Sequence, residues 1–485
     1  MARRMSEKPR DGSENTAVER GGTRKPKPGK HEMHLPRFQI NHNGHRVTTG
    51  IHPDGESGRS GIHPMRFLRI CFRSSAPWSK YANILWPVVP VAIAIGFAKR
   101  HAHSNTWNLI IFILNYIAMV PAANLIGFGG EELARKLPKV IGIVIETTLG
   151  SIVEIVLFAI LITKPSTETF NPIQIIQAAI LGSILANLLL CIGLCFFVGG
   201  LKREEQEFHE AVSEVGSGLM LVAGMALVLP AAYINTLQNS EYAGTGNFEL
   251  DSLKISRATA IILIISYVVY VWFQTHSHHG LYDEIFEHDE LKDEDRHEDL
   301  KKEKLTLTEC FIALVIAIGC VCCIAYLLVD QIHFIVEERH VKDAFVGLIL
   351  IPVVEKAAEH LTAIDEAYDN QMNFALSHVL GACIQTVLLN TPIVVFIGWG
   401  LGKDMNLAFE PFQAIILILA ILCVGSFLRD GKSNYLEGPW SNKLYCSIHI
   451  GGSEQWRPLR ESEGLKDKAT VRGSGKRAVR AISHD

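Results

Sequence analysis

Ten predominantly apolar stretches, of about 17 to 25 residues each, run through this chain, and each is long enough to carry an α-helix across roughly 30 Å of hydrocarbon. They fall near residues 83–98, 107–128, 140–162, 173–198, 212–236, 257–274, 305–329, 343–365, 374–400 and 411–428. Helices satisfy their own backbone in lipid, so this pattern specifies an all-α, multi-pass membrane protein. No apolar core of signal-peptide length follows the start, so a cleaved leader is not expected. The first 80 residues carry 16 Lys/Arg against 7 Asp/Glu, with many Gly, Pro, Ser and His. That composition buries no core and predicts a disordered basic arm over residues 1–81. Basic residues near spans stay in the cytosol, which puts the arm inside. Counting crossings from there, 131–139, 201–206, 276–304 and the segment after 428 are also cytosolic. The ten cysteines lie mostly within apolar runs and read as packing residues.

Against this background the stretch LILIPVVEKAAEHLTAI (348–364) is unusual, because it sets Glu355, Lys356, Glu359 and His360 inside an apolar helix. One ionisable group at mid-membrane costs about 2.5 to 3.5 kcal/mol on insertion scales, so such residues mark sites facing protein or water. The third run has a counterpart, IETTLGSIVEIVLF (145–158), which contains Glu146 and Glu154 beside Thr147, Thr148 and Ser151. Thr147, Ser151 and Glu154 share one helical stripe, and Glu355, Glu359 and Thr362 repeat the i, i+4, i+7 spacing.

Each acidic run is followed by one with small and amide residues. Gly182, Ser183 and Asn187 in ILGSILANLLL (180–190) parallel Gly381, Ala382 and Gln385 in VLGACIQTVLLN (379–390). The chain therefore repeats one five-helix plan, and an odd number of spans inverts the second copy. Inverted repeats that bring acids and amide oxygens to the midplane are a transporter's construction. Carboxylate, hydroxyl and amide oxygens suit a hard cation such as Ca²⁺.

Five segments carry a resemblance to a known family: EELARKLPKVIGIVIETTLGSIVEIVLF, ILGSILANLLLCIGLCFFVGG, FVGLILIPVVEKAAEHLTAI, GACIQTVLLNTPIVVFIGW and RDGKSNYLEG. Over residues 80–437 the chain resembles the cation/proton exchanger family of the calcium/cation antiporter superfamily, specifically its fungal vacuolar Ca²⁺/H⁺ antiporters. The resemblance implies a sodium/calcium exchanger-like fold: a leading helix, two inverted five-helix repeats and an acidic cytosolic segment between them. It also implies a multi-pass vacuolar protein with a cytosolic N-terminus, exchanging Ca²⁺ for H⁺ by alternating access and needing no resident cofactor. Glu154 and Glu359 match the signature acids that take Ca²⁺ and protons in turn. His360 follows its acid as in the family, Gln385, Gly182, Ser183 and Asn187 match its polar and small positions, and Glu131 and Glu132 match an acidic pair on the cytosolic approach.

The departures concern the same centre. The family places Gly-Asn before each signature acid; here the Asn positions are Ser151 and Lys356, and the second Gly is Glu355. A further family Asn aligns with Glu146. An ammonium at 356 offers no ligand oxygen and neutralises part of the site's charge, so Ca²⁺ affinity should fall. Either Glu146 and Glu355 compensate, leaving an exchanger of altered cation preference, or the site no longer transports.

The expected organisation is the arm (1–81), the leading helix and first repeat (82–275), the acidic segment (276–304), an incomplete second repeat (305–428) and a polar basic tail (429–485). The family's last helix is expected to be missing, because no spanning run follows residue 428. The segment 276–304 holds 11 Asp/Glu, 5 Lys/Arg and 5 His without the spacing of a calcium loop, and reads as a solvated linker helix or a cation-collecting segment. His276, His278 and His279 are candidate zinc or pH-sensing groups. An intramembrane hydrolase using Glu355, Glu359 and His360 would need an H-E-x-x-H or comparable ligand set, which the sequence lacks. The basic arm has no nucleic-acid recognition motif. Expected partners are therefore a divalent cation and the bilayer; nothing in the sequence sets an oligomeric state.

Overall fold

The computed structural model describes residues 41–455 apart from 42, 75–78, 100–103, 168–169, 239–247 and 294–295. The expected arm lies mostly outside these residues. Its last part does not behave as predicted: residues 41–74 form a loop and a helix, α1 (Pro64–Arg73). The Glu56 carboxylate accepts from Thr48 N (2.8 Å) and Gly58 N (3.0 Å), and Lys136 Nζ reaches Gly55 O (2.6 Å). These polar bonds order a segment that is too poor in apolar residues to fold by burial.

The first span is α2 (Ser79–Lys99). The first repeat follows as α3 (Asn105–Ala134), α4 (Lys139–Leu161), α5 (Pro172–Lys202), α6 (Glu210–Leu237) and α7 (Leu250–Ser277). Two helices, α8 (His279–Lys292) and α9 (Arg296–Lys301), form the acidic segment. The second repeat is α10 (Leu307–Glu337), α11 (343–368), α12 (Met372–Gly400), α13 (Pro411–Asp430) and α14 (Glu437–Gln455). Among the described residues, nine helices are long and apolar enough to cross a membrane. The tenth expected span, α11, is present but carries too much charge to qualify. The place of the last helix is filled as well, by α14, which is helical yet polar.

Packing follows the repeat. The first helices of the two halves, α3 and α10, pack together, as do the fourth, α6 and α13. The second helix of each half lies against the third helix of the other, α4 on α12 and α11 on α5. Those third helices are the most enclosed spans, each with 72% of its apolar window buried. Each third helix also widens into a π-turn, at Ala186–Cys191 and at Thr386–Asn390. π-turns frequently mark functional segments, because the extra residue redirects side chains and frees backbone carbonyls. Glycines permit the tightest crossing. A Cβ at Gly182 would meet the backbone of Leu348 on α11, and one at Gly347 would meet Ile175 O on α5.

The acidic segment is not a freely solvated linker. Tyr282, Ile285, Phe286 and Asp289 of α8 are buried against the bundle. Asp289 caps α12 from outside, accepting from Asn373 N (2.8 Å), Asn373 Nδ2 (2.9 Å) and Phe374 N (3.3 Å). Burial pushes the Asp289 carboxyl above the usual range, opposed by those bonds.

Candidate functional site

The two acidic stripes meet. Glu154 on α4 is fully buried, and Lys356 on α11 is 1% exposed. The Lys356 ammonium stands between the signature acids, 3.7 Å from Glu154 Oε2 and 3.2 Å from Glu359 Oε2. One cation thus touches a carboxylate from each half of the molecule. Glu355, next to Lys356 and 3% exposed, adds a third carboxylate within electrostatic reach of the other three groups. A Cβ on Gly150 would collide with Glu359 Oε1, so glycine there is what lets that carboxylate approach α4.

Several further polar bonds around the centre cross between the repeats. Asn390 Nδ2 (2.7 Å) and Thr386 Oγ1 (3.3 Å), both in the π-turn of α12, donate to Glu154 Oε2. Ser151 Oγ donates to Gln385 Oε1 (3.2 Å), whose amide donates in turn to Thr147 Oγ1 (2.6 Å). His360 Nε2 lies 2.8 Å from Asn187 Oδ1 in the π-turn of α5. Ser183 is buried beside them, with its hydroxyl next to the Glu355 carboxylate. Glu154, Glu355, Lys356, Ser151, Gln385, His360, Asn187 and Ser183 therefore form one buried polar centre, with Glu359, its side chain 26% exposed, at its edge.

Glu146 lies apart from it. It sits 3.6 Å from His378 Nε2, and His378 Nδ1 lies 2.9 Å from Glu366. These three line a cavity of ≈ 210 Å³ with Glu131, Thr362 and Asp365. Glu131 is paired with Arg135 at the cavity wall (2.5 Å), whereas Glu132 turns away and accepts from Leu305 N (2.7 Å) at the entry to the second repeat. The entry pair thus divides into one cavity residue and one anchor. His378, Glu366, Asn390 and Thr386 were not among the expected site residues. Glu366 was findable: it continues the Glu359–Thr362 stripe at i+7.

The three histidines of the acidic segment do other things. His276 lies tilted against Trp272, His278 stacks on Phe273, and His279 pairs with Asp283 (3.1 Å). Among the described residues no group of three or more His, Cys, Asp or Glu is arranged to hold a metal. The ten cysteines are unbridged.

Two five-helix repeats that each lend an acid to one buried centre define an inverted-repeat membrane transporter. The sodium/calcium exchanger family model matches residues 107–276 and 310–448, and the chain belongs to that family. It is 30% identical to a vacuolar calcium ion transporter of Schizosaccharomyces pombe, over 76% of this chain and 84% of the relative. It is 32% identical to a Ca²⁺/H⁺ antiporter of Synechocystis, over 70% of this chain and 89% of the relative. Among solved structures it is similar to native YfkE, with a TM-score of 0.59, 26% identity and coverage of 76% of this chain and 98% of that one. The H⁺/Ca²⁺ exchanger CAX shares the fold at a TM-score of 0.55 and 14% identity, over 84% of this chain and 100% of that one.

Proposed function

We propose that this protein exchanges a cytosolic divalent cation, Ca²⁺ first, for lumenal protons across the vacuolar membrane. The observation that carries the reading is the single ammonium held between Glu154 and Glu359, because a place that stabilises one cation between acids of opposite repeats is a cation site. The names of the vacuolar and Ca²⁺/H⁺ relatives supply the ion and the compartment.

The charges support a divalent substrate. With every group ionised, Glu154, Glu355 and Glu359 with Lys356 sum to a net charge of −2, the same as two signature acids alone. Glu355 therefore offsets the lysine, and Ca²⁺ binds once Lys356 withdraws from Glu154 and Glu359. An acidic lumen protonates the carboxylates and expels the metal there, so the two fluxes are coupled by competition. Rocking of the repeats exposes the centre to each side in turn. The cavity at Glu131, Glu146, Glu366 and His378 is the cytosolic approach.

The test is pH-gradient-driven ⁴⁵Ca²⁺ uptake into vesicles containing the full chain. Uptake above empty vesicles, abolished by Glu154→Gln or Glu359→Gln with insertion intact, is expected. Full uptake in either variant would exclude the pair. A second reading has the same observation behind it: Lys356 fills the site permanently and transport is lost. Uptake equal to empty vesicles in the native chain, and restored in Lys356→Asn, would establish that reading instead.

A further inference from the structure

Outside the transport centre, α1 presents three different stripes. At about 100° per residue, Phe67, Ile70, Cys71 and Ser74 fall on one side, and Ile70, Cys71 and Ser74 are buried. Met65 (81% exposed), Leu68 (61%) and Phe72 (47%) fall on another. Arg66, Arg69 and Arg73 lie between these two along the remaining flank.

The helix is fixed at the end of the bundle rather than left to hang in solvent. At its start, His63 N donates to Glu309 Oε1 (3.0 Å) at the first turn of α10. At its end, Asn83 of α2 donates to the carbonyls of Cys71 (3.2 Å) and Phe72 (3.0 Å). α1 therefore runs for about 15 Å where two spans emerge, and the start of α2 also exposes apolar side chains, Tyr81 (65%) and Ile84 (60%). Arg73 reaches back to the carbonyl of Glu303, just before α10 (2.7 Å). Arg66 and Arg69 are exposed and make no ion pair among the described residues.

We infer that α1 is an interfacial helix that seats Met65, Leu68 and Phe72 among acyl chains and uses Arg66 and Arg69 to bind anionic phospholipid headgroups. An apolar face bordered by guanidinium groups is the arrangement that binds such a surface, because long basic side chains rise from the apolar layer to the phosphates. Charge argues against the chain's own first 40 residues as the occupant. They carry 10 Lys/Arg against 5 Asp/Glu and would be repelled by the arginine flank.

The test uses the full-length protein with a genetically encoded fluorescent amino acid in place of Leu68, in nanodiscs containing brominated phosphatidylcholine or brominated phosphatidylserine at equal bromine content. Quenching by both lipids is expected, at least twofold stronger by phosphatidylserine. In Arg66→Gln/Arg69→Gln that preference should disappear while quenching by phosphatidylcholine persists. Absence of quenching would remove α1 from the membrane, and equal quenching in the native chain would remove the headgroup selection. Quenching that develops only after deletion of residues 1–40 would assign the face to the arm and overturn the inference.

Discussion

An ammonium lodged between two carboxylates competes with any cation that would bind there, since its departure leaves charges to be re-paired, Glu154 among them fully buried. Breaking a buried ion pair costs about 3–5 kcal/mol, so Lys356 lowers divalent affinity unless Glu355 receives it. Lys356→Met removes the competitor and leaves three carboxylates. Calorimetric titration at neutral pH should then show Ca²⁺ binding at least tenfold tighter than in the native chain, about 1.4 kcal/mol. Glu355→Gln should weaken binding by a similar factor, and the double variant should return towards the native value. Unchanged affinity in Lys356→Met would mean that Ca²⁺ does not use this place. The acids and the lysine were legible because charges inside apolar runs are conspicuous. Asn390 was not. It lies five residues after Gln385, which a straight α-helix at 3.6 residues per turn would set about 140° round its surface. The π-turn between them changes that angle, and no sequence periodicity announces a π-turn.

The ten spans were readable because each buries or exposes a long apolar run, and their positions in the structure follow those runs. What sits between them was harder to read, because polar segments fold here through particular hydrogen bonds rather than through a pattern. The stretch 276–304 looked solvated on charge density, yet one of its carboxylates, Asp289, closes the start of α12. The first amides of a helix lack intrahelical partners, and a carboxylate that accepts from them also meets the positive end of the helix dipole. Asp289→Ala should therefore destabilise the protein by about 1–2 kcal/mol, read as a lower unfolding midpoint in detergent. Hydrogen exchange at the Asn373 and Phe374 amides should accelerate more than exchange at the centre of α12. Equal acceleration along the helix would make Asp289 a general packing residue rather than a cap.

At the scale of the whole molecule, the halves are tied at their centre by bonds that each cross from one repeat to the other, so the third helices must hold their π-turns for the acids to stay in register. Widening a helix frees carbonyls that need donors. In α12 the Thr391 hydroxyl donates to Thr386 O (2.7 Å), and in α5 donors to the π-turn come from α14, the helix that hydropathy missed. In the amide orientation that satisfies both its ends, Asn442 donates to the carbonyls of Leu189 (3.2 Å) and Leu190 (3.1 Å). Gly438 packs directly on Gly193, while Ser441 (1% exposed) and Tyr445 (7%) face inward and Trp440 (61%) faces out. No spanning run was visible after residue 428 because α14 gives inward positions to polar residues such as Ser441 and Asn442. Asn442→Leu keeps the volume and removes both bonds to α5, at about 0.5–1.5 kcal/mol each. The expected result is a lower unfolding midpoint together with reduced ⁴⁵Ca²⁺ uptake, although residue 442 touches none of the carboxylates. Asn442→Gln, which retains a donor, should recover part of both. A Leu variant with native stability and native uptake would show that α5 keeps its π-turn without the Asn442 amide.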